Sequence, residues 1–432
     1  MNSNKNVQGT SKIEALLLEY KKSIEHILPQ SNRAHGVVKN SGKEGEVVIL
    51  TGSMGSLGTH LLEALLKNPM ISHVHYLNRR ENAQRIHKTK AKVTGPQLGQ
   101  HDNRVSFLHV ALDQPNLGLA KEIYEVLCPT TTLIIHNAWT VNFTMPLKAF
   151  RPQLDGLINL FKLAIGHPDP PKLLYISSIS SVAQLLCASE SHFIPEEVTR
   201  DFDASYNIGY AKSKLLSELL CDKAARHLDI AITFVRVGQI AGPVAGKTLG
   251  PWNVQGRFPS LILTSIGMGS ISDDLGSDFS KVDWVPVEIL SRTLVELGMN
   301  REEGGRPTEE EAEALNLVNP RTIPWKELLP SFVSSIEKRS NKQIDIISLE
   351  SWLNKLRTLS EGLSVDATEL ARTYPGIKLQ DFYEAFLLNG KEAVEWEIKH
   401  ATAKSKTLRE IPTVGNEWFE KWMEGWVPQI KP

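Results

Sequence analysis

The sequence predicts an α/β protein with a doubly wound parallel sheet, followed by a smaller, mainly helical C-terminal lobe. Short apolar runs alternate with helical patterns from residue 46 onward. These runs lack the apolar–polar alternation of a half-exposed strand, which favours strands buried on both faces. The first run, 46–51, leads through a glycine-bearing turn into a helical pattern. That order is typical of a Rossmann-type dinucleotide-binding domain.

Bulk composition favours a soluble globular enzyme. Of 432 residues, 41% are apolar and 22% charged, and the net charge is −1, so bulk charge supports neither a nucleic-acid nor an anionic-membrane partner. Three cysteines without a CxxC pair indicate a reducing compartment, and Cys187 is interpreted as a packed thiol. The N-terminus lacks the apolar core of a signal peptide, and no apolar run reaches 18 residues. We therefore expect a cytoplasmic protein without a membrane span.

The N-terminal segment predicts one helix and a linker. Residues 11–27 carry apolar side chains at roughly helical spacing, and 28–45 are rich in Pro, Ser, Asn, Gly and Lys. The helix packs on its own domain or docks toward a partner domain, and we favour the first.

The alternating region follows in order. Strands are predicted at 46–51, 73–77, 105–110, 132–136, 173–177 and 231–236. Helices are predicted at 57–67, 82–93, 118–127, 147–166 and 209–228.

After residue 240 the alternation stops. Residues 241–282 are rich in Gly, Pro and Ser with few clear periodic elements, 285–297 is predicted helical, and 301–313 is an acidic loop. Residues 314–318 are a candidate strand that returns to the sheet, and 324–432 is mainly helical. We expect three parts: 1–45 (helix and linker), 46–300 (cofactor domain, with 241–282 contributing to the substrate lobe) and 301–432 (substrate lobe).

The glycine turn predicts a pyrophosphate site. Gly52 allows the tight turn after the strand, Gly55 allows backbone to approach a phosphate, and Gly58 allows the helix to pack closely. Ser56 and Leu57 begin the helix, whose unpaired N–H groups and positive dipole end attract phosphate. All five residues are expected to contact the cofactor.

The end of the second strand predicts the cofactor type. This position carries Arg79 and Arg80 and no acidic residue. An acidic residue would accept from the ribose 2′-hydroxyl of NAD, whereas arginine pairs with a 2′-phosphate. We expect NADPH, although the arginines could also simply face water.

Three side chains are the candidate catalytic group. Tyr210 and Lys214 share one face of a predicted helix, so an ammonium beside the phenol is expected to lower the pKa of Tyr210. A serine-rich segment ends the fifth strand, and Ser178, ahead of Ser180, is the expected donor to a substrate oxygen. His136 is interpreted as a structural hydrogen-bonding residue. HExxH and paired-cysteine patterns are absent from the sequence, so no metal site is expected.

Together these motifs resemble the extended short-chain dehydrogenase/reductases. Further segments resemble the thioester reductase domains of fungal nonribosomal-peptide-synthetase-like enzymes, including the adenylate-forming carboxylic acid reductases. The segments are Val141-Asn142-Phe143, Arg236-Val-Gly-Gln-Ile-Ala-Gly-Pro243, Trp252-Asn253, Phe258-Pro259-Ser260-Leu261 and Val282-Asp-Trp-Val-Pro-Val287. The resemblance covers about 46–300 and continues more loosely to the end.

The resemblance implies roles for individual residues. Ser178, Tyr210 and Lys214 would form the catalytic triad. Arg79 would hold the 2′-phosphate, and Asn137, Ala138 and Val237 would line the nicotinamide side. Leu112 is included among the cofactor contacts. Its neighbour Ala111 stands where the family often has an aspartate near the adenine, which is the one departure from the pattern.

The resemblance also implies a function and a partner. The chain would use NADPH to release a phosphopantetheine-bound acyl or peptidyl group as an aldehyde, with reduction to an alcohol as a possible second step. The carrier domain would act in cis or in trans on a monomeric reductase. Two alternatives stay open: an extended reductase of small free carbonyl compounds, and a non-redox domain that serves as a scaffold or cyclises a tethered chain.

Overall fold

The computed structural model describes residues 2–27, 45–52, 55–82, 84–85, 102–185, 193–245, 252–253, 256–277, 279–300, 311–361, 373–387 and 394–426. Outside these ranges lie most of the predicted 28–45 linker and 82–93 helix, Ser53 and Met54 of the glycine turn, Cys187, and the 301–310 part of the acidic loop.

A seven-stranded sheet confirms the predicted fold class. Its strands are β1 (Glu46–Thr51), β2 (Ile71–Asn78), β3 (Val105–His109), β4 (Leu133–His136), β5 (Lys172–Ser178), β6 (Ile232–Val237) and β7 (Glu313–Leu317). Every neighbouring pair runs parallel in the order β7-β6-β5-β4-β1-β2-β3. The chain runs outward from β1 to β3, then returns beside β1 as β4. The carboxyl ends of β1 and β4 therefore form the switch point at which such sheets bind ligands.

Helices connect the strands much as predicted. They are α1 (Asn2–Glu25), α2 (Ser56–Lys67), α3 (Lys121–Thr130), α4 (Arg151–Ile165), α5 (Gly209–Leu228) and α6 (Val287–Met299). Single 3₁₀ turns occur at Pro115–Gly118, Leu147–Phe150 and Ile179–Ser181. The strands begin and end within two residues of their predicted limits, because uniformly apolar runs bounded by polar turns mark buried strands clearly.

Helix α1 packs on the unit that contains the sheet. Leu16, Leu17 and Ile24 are buried in one apolar cluster with the inner faces of α4 and α5. The hydroxyl of Tyr20 donates to Asp155 at 2.6 Å, and burial raises the pKa of that phenol. These contacts agree with the favoured interpretation of the N-terminal helix.

The chain divides into two compact units. Unit 1 comprises Met1–Gly238, Glu288–Leu317 and Trp396–Arg409, and unit 2 comprises Gln239–Val287, Val318–Glu395 and Glu410–Pro432. This differs from the sequence-based division, because 396–409 belongs with the sheet. The carboxylate of Glu196 explains the return: it accepts from the backbone nitrogens of Asn316, His400 and Ala401 at 2.5–3.1 Å.

Unit 2 has its own helices and aromatic core. The helices are Arg257–Met268, Trp325–Ser340, Leu349–Glu361, Gln380–Leu387 and Asn416–Trp426. Two-stranded pairings join Ile240–Ala241 to Val285–Pro286, Lys281–Val282 to Ile323–Pro324, and Ser270–Ser272 to Asp345–Ile347. Trp252, Phe258 and Trp284 are buried against one another, with centroid separations of 4.2–5.7 Å.

The sequence analysis missed the helix Arg257–Met268, which lies where few periodic elements were expected. Every residue from Phe258 to Ile266 is buried. Gly256, Pro259 and Gly267 lie beside or within this segment, and because such residues are typical of turns, they hide a short helix in the sequence. Over the described part of the chain, no helix combines the length and apolar character that crossing a membrane requires.

Candidate active site

Thr51, the last residue of β1, ties the ends of β1 and β4 together. Its hydroxyl oxygen accepts from the backbone nitrogens of Asn137 and Ala138 at 3.2 and 3.1 Å. The Asn137 amide donates to the backbone oxygen of Gly52 at 3.1 Å. The two predicted nicotinamide-side residues are therefore held against the first glycine of the turn, at the switch point of the sheet.

Gly52 is required by its conformation and by this close approach. Its φ is +69°, and a Cβ there would stand 2.5 Å from the backbone of Asn137 and Ala138. Only glycine adopts such a conformation without strain. A Cβ at Gly55, in contrast, would meet among the described residues only the backbone oxygen of Gly52, at 3.6 Å. Space for a ligand to approach the backbone is thus present at Gly55.

The N-terminus of α2 lies directly beyond this turn. Gly55 precedes the first turn, no side chain caps it, and it contains no acidic residue. Gly55 and Ser56 are exposed, whereas Leu57 and Gly58 are buried. A 12-residue helix with an uncapped N-terminus offers N–H groups and a positive dipole end to an anion. These residues fit the diphosphate of a dinucleotide.

Arg79 and Arg80 follow β2 at the same edge of the sheet. Thr51 of β1 pairs with Leu77 of β2, so Arg79 is two residues beyond the position beside the glycine turn. Both arginine side chains are exposed. Their position fits the recognition of a ribose phosphate at the neighbouring strand end.

Leu112 and Val237 lie beyond or at the ends of other strands. Leu112 follows β3, is half-buried, and its backbone oxygen accepts from Asn159 at 2.9 Å. Val237 ends β6, is buried, and pairs in register with Ser178 of β5. The carboxyl edge of the sheet therefore collects the predicted cofactor residues from β1, β2, β4 and β6, with Leu112 just after β3.

Ser178 and Tyr210 are brought together by the fold. The side chain of Ser178 lies close enough to the phenol of Tyr210 to act against the rise in its pKa, and Ser178 Oγ lies 3.0 Å from Ser180 Oγ. Burial raises the pKa of Tyr210 to about 12, and the contact with Ser178 offsets part of that rise. The expectation of a lowered pKa for Tyr210 is wrong in this structure, because burial of the phenol raises the pKa, and the group that acts against this rise is Ser178 rather than Lys214.

Lys214 lies one turn from Tyr210, but its ammonium donates elsewhere. Nζ is 2.6 Å from the backbone oxygen of Ile176 in β5. It lies 4.5 Å from the ring centroid of Trp139, 4.7 Å from that of Tyr175 and 5.9 Å from that of Tyr210. Burial lowers the pKa of Lys214 to about 7, against the opposing effect of Glu218 and Cys221. The lysine can therefore exchange its proton near neutral pH.

His136 is held neutral behind this group. Since the Thr51 oxygen already accepts two N–H bonds, its own proton points to His136 Nδ1 at 2.8 Å. The ring proton is therefore assigned to Nε2, which is buried without a partner among the described residues. Burial, and then the charge of Lys214, lower the pKa of His136 to about 3. This neutral ring agrees with the structural role expected for it.

Two residues of the site were not identified from the sequence. A Cβ at Gly209 would stand 2.2 Å from the backbone oxygen of Met145, so glycine allows the start of α5, and with it Tyr210, to approach this loop. Glu218, one turn beyond Lys214, is buried and paired with Arg236 at 2.9 Å. The spacing of Glu218 from Lys214 was a readable signal, whereas the contact at Gly209 was not.

Within the described ranges, no three His, Cys, Asp or Glu side chains gather as metal ligands. Cys128 and Cys221 are free and buried, and burial raises the pKa of both thiols.

The sequence pattern of an NAD-binding family described as male sterility protein matches residues 50–294, more than half of the chain. The chain belongs to this family. It is an oxidoreductase domain that binds a nicotinamide cofactor.

Curated relatives are longer than this chain. It is 30% identical over 417 residues to a carboxylic acid reductase of Neurospora crassa, covering 96% of this chain and 37% of the relative. It is 29% identical over 455 residues to adenylate-forming reductase Nps9 of Serpula lacrymans var. lacrymans, covering 98% and 39%. The chain thus spans less than two-fifths of these relatives.

Solved reductase domains share the fold. The terminal R domain of the myxalamid PKS-NRPS pathway superposes with a TM-score of 0.73 at 19% identity, covering 96% of this chain and 98% of that one. A thiolation-reductase di-domain from an archaeal nonribosomal peptide synthetase gives 0.66 at 17% identity, covering 94% and 79%.

Proposed function

We propose that this chain uses NADPH to reduce an acyl or peptidyl thioester, bound through phosphopantetheine to a carrier protein, to an aldehyde. The observation that carries the proposal is the proximity of the Ser178 and Tyr210 side chains at the carboxyl edge of the sheet, the edge that also bears the glycine turn. The printed names of the relatives, carboxylic acid reductase and adenylate-forming reductase, support the same chemistry.

The reaction balances with one cofactor and one proton. The thioester, NADPH and a proton give an aldehyde, a free thiol and NADP⁺. A second equivalent of NADPH and a proton would convert the aldehyde to an alcohol. When bound, the nicotinamide supplies hydride to the carbonyl carbon, and the protein supplies position and charge stabilisation.

Tyr210 and Ser178 act on the substrate oxygen. As the carbonyl carbon is reduced, its oxygen gains negative charge, and two hydroxyl donors fixed in advance stabilise it without reorganisation. With a pKa of about 12, Tyr210 stays protonated at neutral pH and can donate. Collapse of the tetrahedral adduct then breaks the carbon–sulfur bond and releases the thiol.

Aromatic rings keep the phenol out of water. The ring of Phe143 stands edge-on to Tyr210 at 5.4 Å between centroids, and that of Phe150 at 6.4 Å. Exclusion of water strengthens the hydrogen bonds that the phenol offers to a substrate oxygen. Lys214, held by the Ile176 carbonyl, adds a positive charge behind the phenol and can return a proton to it.

The choice of NADPH over NADH rests on the arginines after β2. Both are exposed at the strand end beside the glycine turn. Arginine recognises phosphate through paired N–H groups, so Arg79 is the expected 2′-phosphate contact and Arg80 its neighbour.

The partner and the setting follow from the same reaction. We propose a carrier-protein domain as partner, in cis or in trans, with the chain acting as a monomeric domain in the cytoplasm. The reductase neighbour solved together with a thiolation domain supports such a pairing. We also propose that unit 2 selects the acyl group.

The test compares matched substrates with both cofactors. One acyl group is supplied as its phosphopantetheinyl carrier thioester, its coenzyme A thioester and its free aldehyde, each with NADPH or NADH. We expect NADPH consumption and aldehyde from the thioesters, fastest on the carrier. Activity on free carbonyl compounds alone would instead support a small-carbonyl reductase, and absence of NADPH binding by fluorescence titration would support a non-redox domain.

A further inference from the structure

A buried carboxylate organises the turn that carries Ser178. Glu218 Oε1 accepts from the hydroxyl of Ser177 and lies 2.5 Å from the hydroxyl of Ser181. Ser181 Oγ also lies 2.7 Å from the backbone oxygen of Ser178. The residues before and after the candidate catalytic serine are therefore fastened to one side chain.

The same carboxylate is fixed from the neighbouring strand. Glu218 Oε2 accepts from Arg236 Nε at 3.0 Å and Nη2 at 2.9 Å. Arg236 also donates to the backbone oxygens of Pro195 and Glu197. Each of the two residues is 1% exposed. Two guanidinium N–H groups converge on one carboxylate oxygen while serine hydroxyls occupy the other, so this buried ion pair is well satisfied.

Glu218 also lies on the lysine face of α5. Tyr210, Lys214 and Glu218 follow one another at intervals of four residues and stack along that face. The carboxylate favours the charged form of the lysine, against the effect of burial. Glu218 is thus linked to Ser178 through the turn and to Lys214 through its charge.

We propose that Glu218 is a positioning residue of this site: its carboxylate fixes the turn that carries Ser178 and lies on the same helix face as Lys214, one turn away. The inference rests on the proposed function for its catalytic meaning. The structural prediction about Lys214 can be measured without any substrate.

Several other groups face Lys214 and set the background for this effect. On α5 they are Tyr210 and Cys221, on β5 Tyr175, and at the end of β4 His136. His136 is neutral, and the pKa of the Cys221 thiol and of the Tyr175 phenol are raised by burial. At neutral pH, Glu218 is therefore the charged group among them that opposes the desolvation of the ammonium.

The first experiment titrates Lys214 directly. Protein labelled with ¹³C at lysine Cε is followed by NMR between about pH 5 and about pH 9, with Lys214→Arg used to identify the signal. In Glu218→Gln the midpoint should fall by roughly one to two pH units, since one charge about a helical turn away is removed. Two variants serve as controls: Ser181→Ala, and Asp222→Asn, which removes a charge two helical turns from Lys214 on α5. In both, the Lys214 midpoint should stay at the parent value.

The second experiment measures the rate of NADPH-dependent thioester reduction against pH. In Glu218→Gln the alkaline fall in rate should move to lower pH together with the NMR midpoint, and Ser181→Ala should lower the rate at every pH without moving the fall. Glu218→Asp keeps the charge and should keep the midpoint near that of the parent. If Glu218→Gln does not fold, the double variant Glu218→Gln, Arg236→Met removes the whole ion pair without leaving an unpaired guanidinium, and its Lys214 midpoint should fall by less because a positive charge is removed as well.

An unchanged Lys214 midpoint in both charge-removing variants would overturn the proposal. If the parent protein reduces no thioester while the midpoints shift as expected, the proposed function is wrong but the electrostatic role of Glu218 is supported. If the parent protein reduces thioesters while the midpoints stay unchanged, the proposed function is supported but the role of Glu218 is wrong.

Discussion

The side chain of Ser178 lies beside the phenol of Tyr210, although Ser178 ends β5 and Tyr210 belongs to the first turn of α5. Two features make this meeting possible. Gly209 admits the start of α5 against the 145–147 backbone, and Glu218 holds the turn after β5. In the proposed reaction these two hydroxyl groups donate to the same substrate oxygen.

Replacing Tyr210 with Phe should lower the rate of thioester reduction by about 10² to 10⁴, because a general acid contributes that much. NADPH affinity, measured by fluorescence titration, should stay within a few-fold of the parent. Tyr124→Phe, on the distant α3, is the matched control and should reduce thioester at the parent rate. A Tyr210→Phe protein as fast as that control would remove the phenol from the mechanism.

Gly52→Ala and Gly55→Ala should separate folding from cofactor binding. Alanine at Gly52 meets a positive φ and backbone at 2.5 Å, so the free energy of unfolding should fall by about 2 kcal/mol or more. Alanine at Gly55 has room in the free protein, so its unfolding should match the parent while its NADPH affinity falls. Urea unfolding without cofactor, paired with fluorescence titration, makes the comparison. Equal destabilisation of both variants would contradict the assignment of Gly55 to the phosphate approach.

Arg79→Gln should weaken NADPH binding and leave NADH binding nearly unchanged. A charge-assisted contact to a phosphate is worth about 1.5–3 kcal/mol, so KM for NADPH should rise roughly 10- to 100-fold. Arg80→Gln tests its neighbour, and Arg200→Gln serves as an exposed-arginine control. Equal effects of Arg79→Gln on the two cofactors would show that this arginine does not recognise the 2′-phosphate.

Stability should rise with pH because of Lys214. Its pKa is lowered from 10.5 to about 7 in the folded protein. Between these values the unfolded chain binds more protons than the folded one, so the free energy of unfolding increases with pH; below about 7 the full cost of the buried charge is present. Lys214→Met lacks this dependence. From pH 7 to pH 9 the parent should therefore gain on the order of 2 kcal/mol relative to the variant.

Urea unfolding of both proteins without cofactor, at several pH values across that window, measures the difference. Parallel stability curves would mean that Lys214 keeps an ordinary pKa in the fold.

Features that depend on a local sequence pattern could be predicted from the sequence. The strands of the sheet are recognisable as apolar runs, and the candidate residues lie at strand ends because the carboxyl ends of parallel strands share one edge of the sheet. The helix Arg257–Met268 was missed because glycine and proline, which are typical of turns, lie beside and within it. The return of 396–409 to unit 1 depends on Glu196 and backbone nitrogens far apart in the chain, which no local pattern encodes.

The pKa values of the site residues could not be predicted from the spacing of those residues in the sequence. The interval between Tyr210 and Lys214 predicted one shared face of a helix, and they do lie on α5 one turn apart. Whether the pKa of Tyr210 is raised or lowered depends instead on how completely the fold removes water from the phenol. Burial raises this pKa, and the burial of one side chain depends on the packing of the whole unit.

Transfer of deuterium from labelled cofactor to product tests the central claim most directly. The protein is given a carrier-bound acyl thioester and NADPH deuterated at the transferring position of the nicotinamide, and the product is analysed by mass spectrometry. We expect an aldehyde that carries one deuterium on the carbon of the former thioester, and we expect Tyr210→Phe to form it far more slowly. Release of an unlabelled carboxylic acid, or recovery of intact thioester with bound cofactor, would contradict it.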